Sequence, residues 1–345
     1  MILSILNGLF LNVRYLQKAL YRLITVLVLS LLFCVTASAE HILRFGTGGT
    51  TGTYFPVGTL VAKVINERAS ASGKDDPLVV IAQRSNGSVA NINDLSENLL
   101  ELGLAQADIV SLAYQEEGQF ENKNLKNTLR AVGTLYQESL HLVVRTESEI
   151  KSLGDLVGKR VSVDELGSGT QLDTEIVLAA SGMPLEEIKL VYLKSNDSIE
   201  RMRRGLLDAM FVVAGYPVDG LMQLVEDGIG RIIGLSDELI SAITSEHLFL
   251  SAHSIPAGTY LNNEEIETLS VAAQMIVRSD VSTDVVYEIT ETMWSESMLN
   301  TLSGGHPRGA DIRSDSALQG ISIPLHPGAL LYYEKHGYDT QDVPQ

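Results

Sequence analysis

Short apolar runs alternate with amphipathic stretches along most of this 345-residue chain. Runs rich in β-branched residues predict strands, and apolar residues that recur every three or four positions predict helices. The predicted strands are Ile42–Phe45, Leu78–Ala82, Leu102–Ala105, Leu129–Arg145, Lys159–Asp164, Ile188–Leu193, Ala209–Ala214 and Arg231–Leu235, and a long helix is expected over Thr283–Leu299. Repeated strand–helix alternation favours mostly parallel sheets covered by helices, so the sequence predicts an α/β protein.

The stretch between Phe45 and Gly58 contains four threonines and several glycines, and it joins the first predicted strand to an amphipathic helix. Glycine lets a backbone approach a ligand closely, and the free N–H groups at a helix start attract an anion. Neither common nucleotide-binding loop fits: the next lysine is Lys63, too late for a P-loop, and Thr51 stands where the dinucleotide fingerprint needs glycine. An ordinary glycine-rich turn is the remaining alternative.

Residues 1–39 have the features of a secretory signal peptide. They contain no acidic residue, and an apolar core over Leu23–Val35 is followed by the small residues Ala37, Ser38 and Ala39. We expect cleavage after Ala39, with an uncleaved anchor as the alternative. The apolar core is short for a membrane span.

Loss of the signal peptide would leave 306 residues without cysteine, because Cys34 is the only one, and would change the net charge from -18 to -21. An exported chain without disulfides needs a large core, which this length permits. The acidic balance excludes nucleic acid as an expected partner and disfavours anionic membrane surfaces. The length suggests two domains.

A second loop of small residues, Gly167-Ser168-Gly169-Thr170, follows a predicted strand and opens a helix that runs through Ala180. Ligands of open α/β sheets bind at the carboxyl ends of the strands. Two lobes facing each other would place both loops on one ligand. The predicted lobe I comprises residues 40–136 and 271–345, and the predicted lobe II comprises residues 137–270. The long apolar segments Leu129–Arg145 and Leu269–Val277 are expected to cross between them.

Six motifs, in this order and spacing, resemble the TAXI family of solute receptors for tripartite ATP-independent periplasmic (TRAP) transporters. They lie at Gly46–Gly58, Ser85–Val89, Gln106–Asp108, Gly167–Thr170, Gly215–Pro217 and Gly304–Pro307, within a resemblance that runs from Leu43 to about Glu334. The resemblance implies a type II periplasmic-binding-protein fold with two lobes, each a mixed, mostly parallel sheet flanked by helices, and a ligand cleft between them. It also implies a periplasmic monomer.

For function, the resemblance implies a small organic anion as ligand, either a glutamate-like amino acid or a dicarboxylate, and a TRAP-type membrane permease as partner. Two departures from the family pattern leave the exact ligand open. Thr51 replaces the usual glycine, and Ser85-Asn86 replace the commoner Thr-Gly.

The predicted ligand-binding residues come from both loops and from the ends of neighbouring strands. They are Gly48, Gly49, Thr50, Thr53, Tyr54, Ser85, Asn86, Ser88, Gln106, Asp108, Gly167, Ser168, Gly169, Thr170 and Tyr216. Several have a structural alternative. Tyr54 could pack on its helix, and Ser88, Gln106 and Asp108 could cap helices. Tyr216 could only line the cleft. On strand alternation, Arg84 is expected to point to solvent.

Catalytic and metal-binding motifs are absent from the sequence. Leu166 occupies the first glycine position of a nucleophile elbow around Ser168, and the seven histidines lack the paired spacing of a zinc site. His306 is expected to be a structural turn residue. We therefore predict a protein that is not an enzyme and needs no cofactor and no metal. A secreted hydrolase and a sensor that signals through a membrane partner are the alternatives.

Overall fold

The computed structural model describes residues 42–50, 52–75, 77–247 and 249–344. The predicted signal peptide, its cleavage site and Cys34 lie outside these residues, and so does Thr51. Among the helices of the described residues, none has both the length and the apolar character needed to cross a membrane.

The ten strands of the described residues form one mixed sheet in the order β2-β1-β3-β10-β4-β7-β5-β6, with β8 also pairing with β4 and β9 with β10. β1, β2 and β3 are mutually parallel, as are β5, β6 and β7, whereas β4 and β10 are antiparallel to their neighbours. The bounds are β1 Ile42–Gly46, β2 Val79–Gln83, β3 Leu102–Gln106, β4 Leu129–Arg145, β5 Arg160–Ser162, β6 Lys189–Val191, β7 Ala209–Ala214, β8 Gly230–Ile233, β9 Ser251–Ile255 and β10 Ile266–Arg278.

Helices flank this sheet, as the strand–helix alternation predicted. The α-helices of the described residues are α1 Tyr54–Ala71, α2 Ser88–Ser96, α3 Ala107–Gln115, α4 Leu125–Thr128, α5 Gly169–Ala180, α6 Ser195–Arg203, α7 Asp219–Glu226, α8 Asp237–Glu246, α9 Thr283–Met293, α10 Glu296–Gly305 and α11 Pro327–Lys335. Short 3-10 turns lie at Gly118–Phe120, Leu153–Leu156, Leu185–Glu187, Pro307–Asp311 and Ser314–Ser316.

Two long central strands join the parallel groups of the sheet. β4 has 17 residues and β10 has 13, and they pair antiparallel from Ser139 opposite Ser270 to Leu129 opposite Arg278. Hydrogen bonding is therefore continuous through them, so the expectation of a separate sheet in each lobe is wrong: both groups of parallel strands belong to one ten-stranded sheet.

The hydrophobic core is divided along the chain. One cluster draws its buried residues from positions 43–136 and 273–343, and includes Phe45, Ile65 and Tyr333. Two further clusters draw theirs from positions 140–272, with Ala107 the one addition, and include Phe211 and Met202. The long strands β4 and β10 contribute residues on both sides of this division.

The helix predicted over Thr283–Leu299 is broken in two. α9 ends at Met293, and α10 begins at Glu296. Ser295 caps the second helix, because its side chain accepts the backbone N–H of Met298 at 3.3 Å. The apolar periodicity continues across the break, so it could not reveal the cap.

Candidate functional site

A cavity of about 800 Å³ lies where the loops after β1, β2, β5 and β6 meet the ends of β3 and β7. Twelve of the fifteen predicted ligand-binding residues line it: Gly48, Gly49, Thr50, Thr53, Tyr54, Ser85, Asn86, Ser88, Gln106, Ser168, Gly169 and Thr170. The fold thus brings both predicted loops to one cavity, although they are more than 110 positions apart in the chain.

Four helices begin at this cavity. Tyr54, Ser88, Gly169 and Ser195 are the first residues of α1, α2, α5 and α6, and all four line the cavity. The first N–H groups of a helix lack intrahelical partners, and the helix dipole gives that end a partial positive charge. The cavity is therefore surrounded by groups that attract an anion.

The start of α1 is anchored by Thr53 and Tyr54. The Thr53 hydroxyl accepts the backbone N–H of Gly215 at 3.1 Å. Tyr54 is buried, and its hydroxyl has no hydrogen-bonding partner among the described residues. Burial raises the pKa of Tyr54 well above its usual range, with the nearby Glu138 carboxyl as a second cause. The ring therefore packs as a core residue while its neutral hydroxyl stays free to donate.

Ser88 and Gln106 lock the starts of α2 and α3 together. The Ser88 hydroxyl donates to Gln106 Oε1 and accepts the backbone N–H of Gln106, both at 3.1 Å. The Gln106 amide in turn donates to the Asp173 carboxylate in α5. Ser88 is thus not the cap that the sequence suggested. Gly87 occupies the cap position with a φ of 101°, a backbone conformation that favours glycine.

Ser168 and Thr170 both hold backbone groups. Ser168 caps α5 by accepting the N–H of Gln171 at 3.1 Å, and Thr170 accepts the N–H of Val213 at 3.0 Å. Both side chains are buried. Neither hydroxyl faces open solvent, because the helix start and β7 use both oxygens as acceptors. The Thr170 hydroxyl also interacts with the Asp164 carboxyl, so the Ser168 hydroxyl hydrogen is the one that remains available to a ligand.

The two loop regions also touch each other directly. The Ala90 N–H donates to the Gly167 carbonyl at 3.1 Å, and the Asn86 amide donates to the Leu166 carbonyl at 3.4 Å. Ser85 is turned toward the first loop, where its hydroxyl donates to the Thr47 carbonyl at 2.9 Å. Arg84 is exposed at the cavity rim, as expected for a solvent-facing position.

Three predicted residues do not line the cavity: Asp108, Gly167 and Tyr216. Gly167 contributes its carbonyl to Ala90, as described above. Asp108 is buried at the start of α3, and its pKa is raised by burial in an environment shared with Asp173. Neither of its carboxylate oxygens has a hydrogen-bonding partner among the described residues.

Tyr216 is held away from the cavity by the segment after α10. The Arg308 guanidinium lies 4.5 Å from the centre of the Tyr216 ring and donates to the Tyr216 carbonyl at 3.2 Å. His306 positions this segment, because its ring accepts the backbone N–H of Arg308 at 3.1 Å. Tyr216 therefore packs against Arg308, and His306 is the structural turn residue that the sequence predicted.

The cavity carries more carboxyl groups than cations. Its basic side chains are Arg84 and Lys194, and its acidic side chains are Glu138, Asp164, Glu165 and Asp197. Burial raises the pKa of Glu138 to about 8 and that of Asp164 to about 7. Lys194 lies 3.5 Å from Glu165. No group of three or more histidine, cysteine or acidic side chains among the described residues is arranged to hold a metal ion.

The sequence matches the model of the NMT1-like family over residues 45–337, which is most of the chain. The protein belongs to the NMT1-like family. The match spans both loops, the cavity and the Arg308 segment. The match does not distinguish the TAXI family within this broader family, so the TAXI resemblance stays a prediction for this NMT1-like protein.

Several solved structures are similar to this NMT1-like protein. The alkanesulfonate-binding protein SsuA from Xanthomonas axonopodis pv. citri, bound to MOPS, shows 15% identity, covers 79% of this chain and 82% of its own, and has a TM-score of 0.46. A putative L-cystine ABC transporter from Listeria monocytogenes shows 15% identity, covers 80% of this chain and 99% of its own, and has a TM-score of 0.47. The periplasmic aliphatic sulphonate binding protein SsuA from Escherichia coli shows 14% identity, covers 86% of this chain and 84% of its own, and has a TM-score of 0.42.

Glu138, Asp164 and Lys194 line the cavity of this NMT1-like protein but were absent from the predicted site. Glu138 had a visible signal, because Gln137-Glu138-Ser139 interrupts an otherwise apolar strand. A polar break in a buried strand indicates a side chain with a structural or functional role, because burying a polar group without such a role costs free energy. Asp164 and Lys194 follow β5 and β6, and only the parallel pairing of those strands brings them to the cavity edge.

Proposed function

We propose that this NMT1-like protein is a solute-binding receptor that captures a small organic anion in the cavity. The convergence of four helix starts carries the proposal. Half a unit charge at about 4 Å, in an effective dielectric near 20, is worth roughly 2 kcal/mol for each helix end. Ligand carboxylate oxygens could accept hydrogen bonds from several of these N–H groups at once.

The acidic character of the chain does not oppose this proposal. Surface carboxylates are screened beyond roughly 8 Å in physiological salt, whereas helix starts act at contact distance. Arg84 adds a positive charge at the rim, and it forms no ion pair or hydrogen bond with another described residue. A ligand carboxylate would therefore find a basic side chain that is not already neutralised.

We propose further that the cavity separates two lobes with the predicted ranges, and that ligand capture proceeds by their closure. The division of the hydrophobic core along the chain supports this. The hydrogen bonds Ala90–Gly167 and Thr53–Gly215 link the two sides and are the kind of contact that closure would form. The remaining features come from the TAXI resemblance: residence in the periplasm, delivery to a TRAP-type permease, and a glutamate-like or dicarboxylic ligand.

Titration calorimetry tests the proposal with a panel of C4–C6 mono- and dicarboxylates and amino acids. At least one of these anions is expected to bind, and Arg84→Gln should weaken its binding about 5–10-fold. This weakening lies just below the range of about 1.5–3 kcal/mol for a hydrogen bond to a charged group, because Arg84 is exposed and its interactions are screened by solvent. The matched control is Arg313→Gln, which removes an exposed arginine outside the cavity. Absence of binding across the panel, or equal weakening by both substitutions, would contradict an anion site here.

A further inference from the structure

Glu138 is a buried carboxyl group that faces the cavity without a basic partner. It lies in the middle of β4, opposite Val271 of β10, and only 3% of the residue is exposed. It lines the cavity floor. No lysine, arginine or histidine of the described residues forms an ion pair with it, and the nearby Tyr54 hydroxyl lies beside it without forming a hydrogen bond of good geometry.

An unpaired carboxylate in this position is costly, because a buried charge needs a counter-charge or several hydrogen bonds. The surroundings of Glu138 supply neither. Asp108 and Asp173 are close enough to add repulsion within the same buried group. The Tyr54 hydroxyl beside it also lacks a geometrically satisfactory partner. An unpaired hydroxyl and a carboxyl group without a counter-charge therefore meet at the cavity.

We propose that Glu138 is the subsite for a protonated amine of the ligand, with Tyr54 beside it as a hydrogen-bonding partner. The inference rests on the proposed function and narrows it: the solute carries an anionic end for the helix starts and an ammonium group for Glu138. A plain dicarboxylate lacks such a group. Its second carboxylate would meet Glu138, and Asp108 and Asp173 lie in the same buried group, so all three add repulsion when ionised.

The subsite also couples ligand capture to a proton. In the free protein, burial holds the pKa of Glu138 at about 8, so the carboxyl keeps its proton at neutral pH. A bound ammonium group favours the carboxylate, so Glu138 gives up one proton to solvent when the ligand enters. Apparent affinity should therefore rise with pH, by up to about tenfold per unit, and level off near pH 8.

Other titratable groups lie around Glu138, so a pH dependence of binding must be separated from their ionisation. Tyr54 faces it from α1, Asp108 from α3 and Asp173 from α5, while Tyr136 precedes it on the same strand. Arg308 acts on Tyr136, and the facing residue of β10, Val271, does not titrate. A pH dependence that belongs to Glu138 must disappear when that one carboxyl is removed.

The experiment is calorimetry with pairs of compounds that differ only in the amine: L-glutamate and glutarate, L-aspartate and succinate, L-alanine and propionate. Each is titrated at pH 6, 7 and 8 in two buffers that hold these pH values, contain no carboxylate, phosphate or primary amine, and differ in ionisation enthalpy, so that the number of released protons is measured. The wild-type protein should bind one amino acid at least tenfold more tightly than its partner without the amine. It should release close to one proton at pH 6 and fewer at pH 8.

Glu138→Gln keeps the shape of the side chain and removes its ability to ionise. It should reduce the preference for the amine at least tenfold and abolish the proton release, while Glu296→Gln, an exposed residue outside the cavity, should change neither. Melting temperatures report whether the variants fold. If Glu138→Gln does not fold, the amine preference and the proton release of the wild-type protein still test the inference.

Two results would overturn the inference. One is a compound without an amine that binds as tightly as its amino-acid partner, and the other is a Glu138→Gln variant that keeps the amine preference and the proton release. Either result would leave the proposed function, capture of a small organic anion, unaffected. Absence of binding by every compound would overturn the proposed function as well, so the two failures can be told apart.

Discussion

Gly169 is the residue at which a single added carbon would disturb the cavity most directly. A Cβ there would lie 1.2 Å from Gln106 Oε1 and 3.0 Å from the Ser88 hydroxyl. Gln106 cannot simply swing aside, because its side chain is held by Ser88 and by the Asp173 carboxylate. Glycine is needed here for space, since no left-handed backbone angle is involved.

Gly169→Ala should therefore lower the free energy of unfolding by about 1–3 kcal/mol, the usual cost of overpacking a tight site. Urea denaturation followed by circular dichroism measures this. Gly304→Ala is the control, because Gly304 lies in α10 with nothing within 4 Å of its added carbon. It should be neutral or slightly stabilising, since alanine favours helices. Equal stability of both variants would show that Gln106 gives way freely.

At the scale of elements, the start of α5 joins the helix to β7. Ser168 caps the helix, and Thr170 accepts the Val213 N–H next to the cavity. Loss of a cap costs about 1 kcal/mol, and leaving a buried N–H unsatisfied costs about 1–3 kcal/mol. The two hydroxyls thus have a structural role before any ligand binds.

The double substitution of Ser168 and Thr170 by alanine should lower the free energy of unfolding by about 2–4 kcal/mol in the absence of ligand. Chemical denaturation provides the measurement. Ser236→Ala, which removes the exposed cap of α8, should cost less than 1 kcal/mol. If the double variant instead unfolds at the same urea concentration as the wild type, the two hydrogen bonds contribute nothing to the fold.

Most elements could be predicted from the sequence because their periodicity is local. β4 was predicted at Leu129–Arg145, and α5 was predicted to run from the Gly167–Thr170 loop through Ala180. β9 was missed, because Ser-Ala-His-Ser-Ile has no apolar alternation and is a strand only through its pairing with β10. The break at Ser295 was missed because a cap depends on one side chain rather than on a period.

The candidate site could be predicted in part for the same reason. Glycine-rich helix starts are local signals, and both predicted loops line the cavity. Which predicted residues lie outside the cavity, or have an engaged hydroxyl, depends on partners that are distant in the sequence. Tyr216 lies away from the cavity because Arg308, 92 positions later, holds it, and the Thr170 hydroxyl is engaged by Val213. No local pattern in the sequence records either contact.

At the scale of the whole molecule, one cavity collects the ends of strands from both parallel groups of the sheet. β4 and β10 make this possible, because each is long enough to pair with strands on both sides. Helix starts surround the cavity and a carboxyl group forms part of its floor, an arrangement suited to a small solute with ends of opposite charge. The proposed receptor function depends on this cavity being where the solute binds.

A crystal structure of the protein with the tightest-binding compound from the calorimetric panel tests that claim most directly. We predict electron density in the cavity, with the anionic end within hydrogen-bonding distance of N–H groups at the starts of α1, α2 or α5, and the amine next to Glu138. Density for the compound at any other place, with only water in this cavity, would contradict the account.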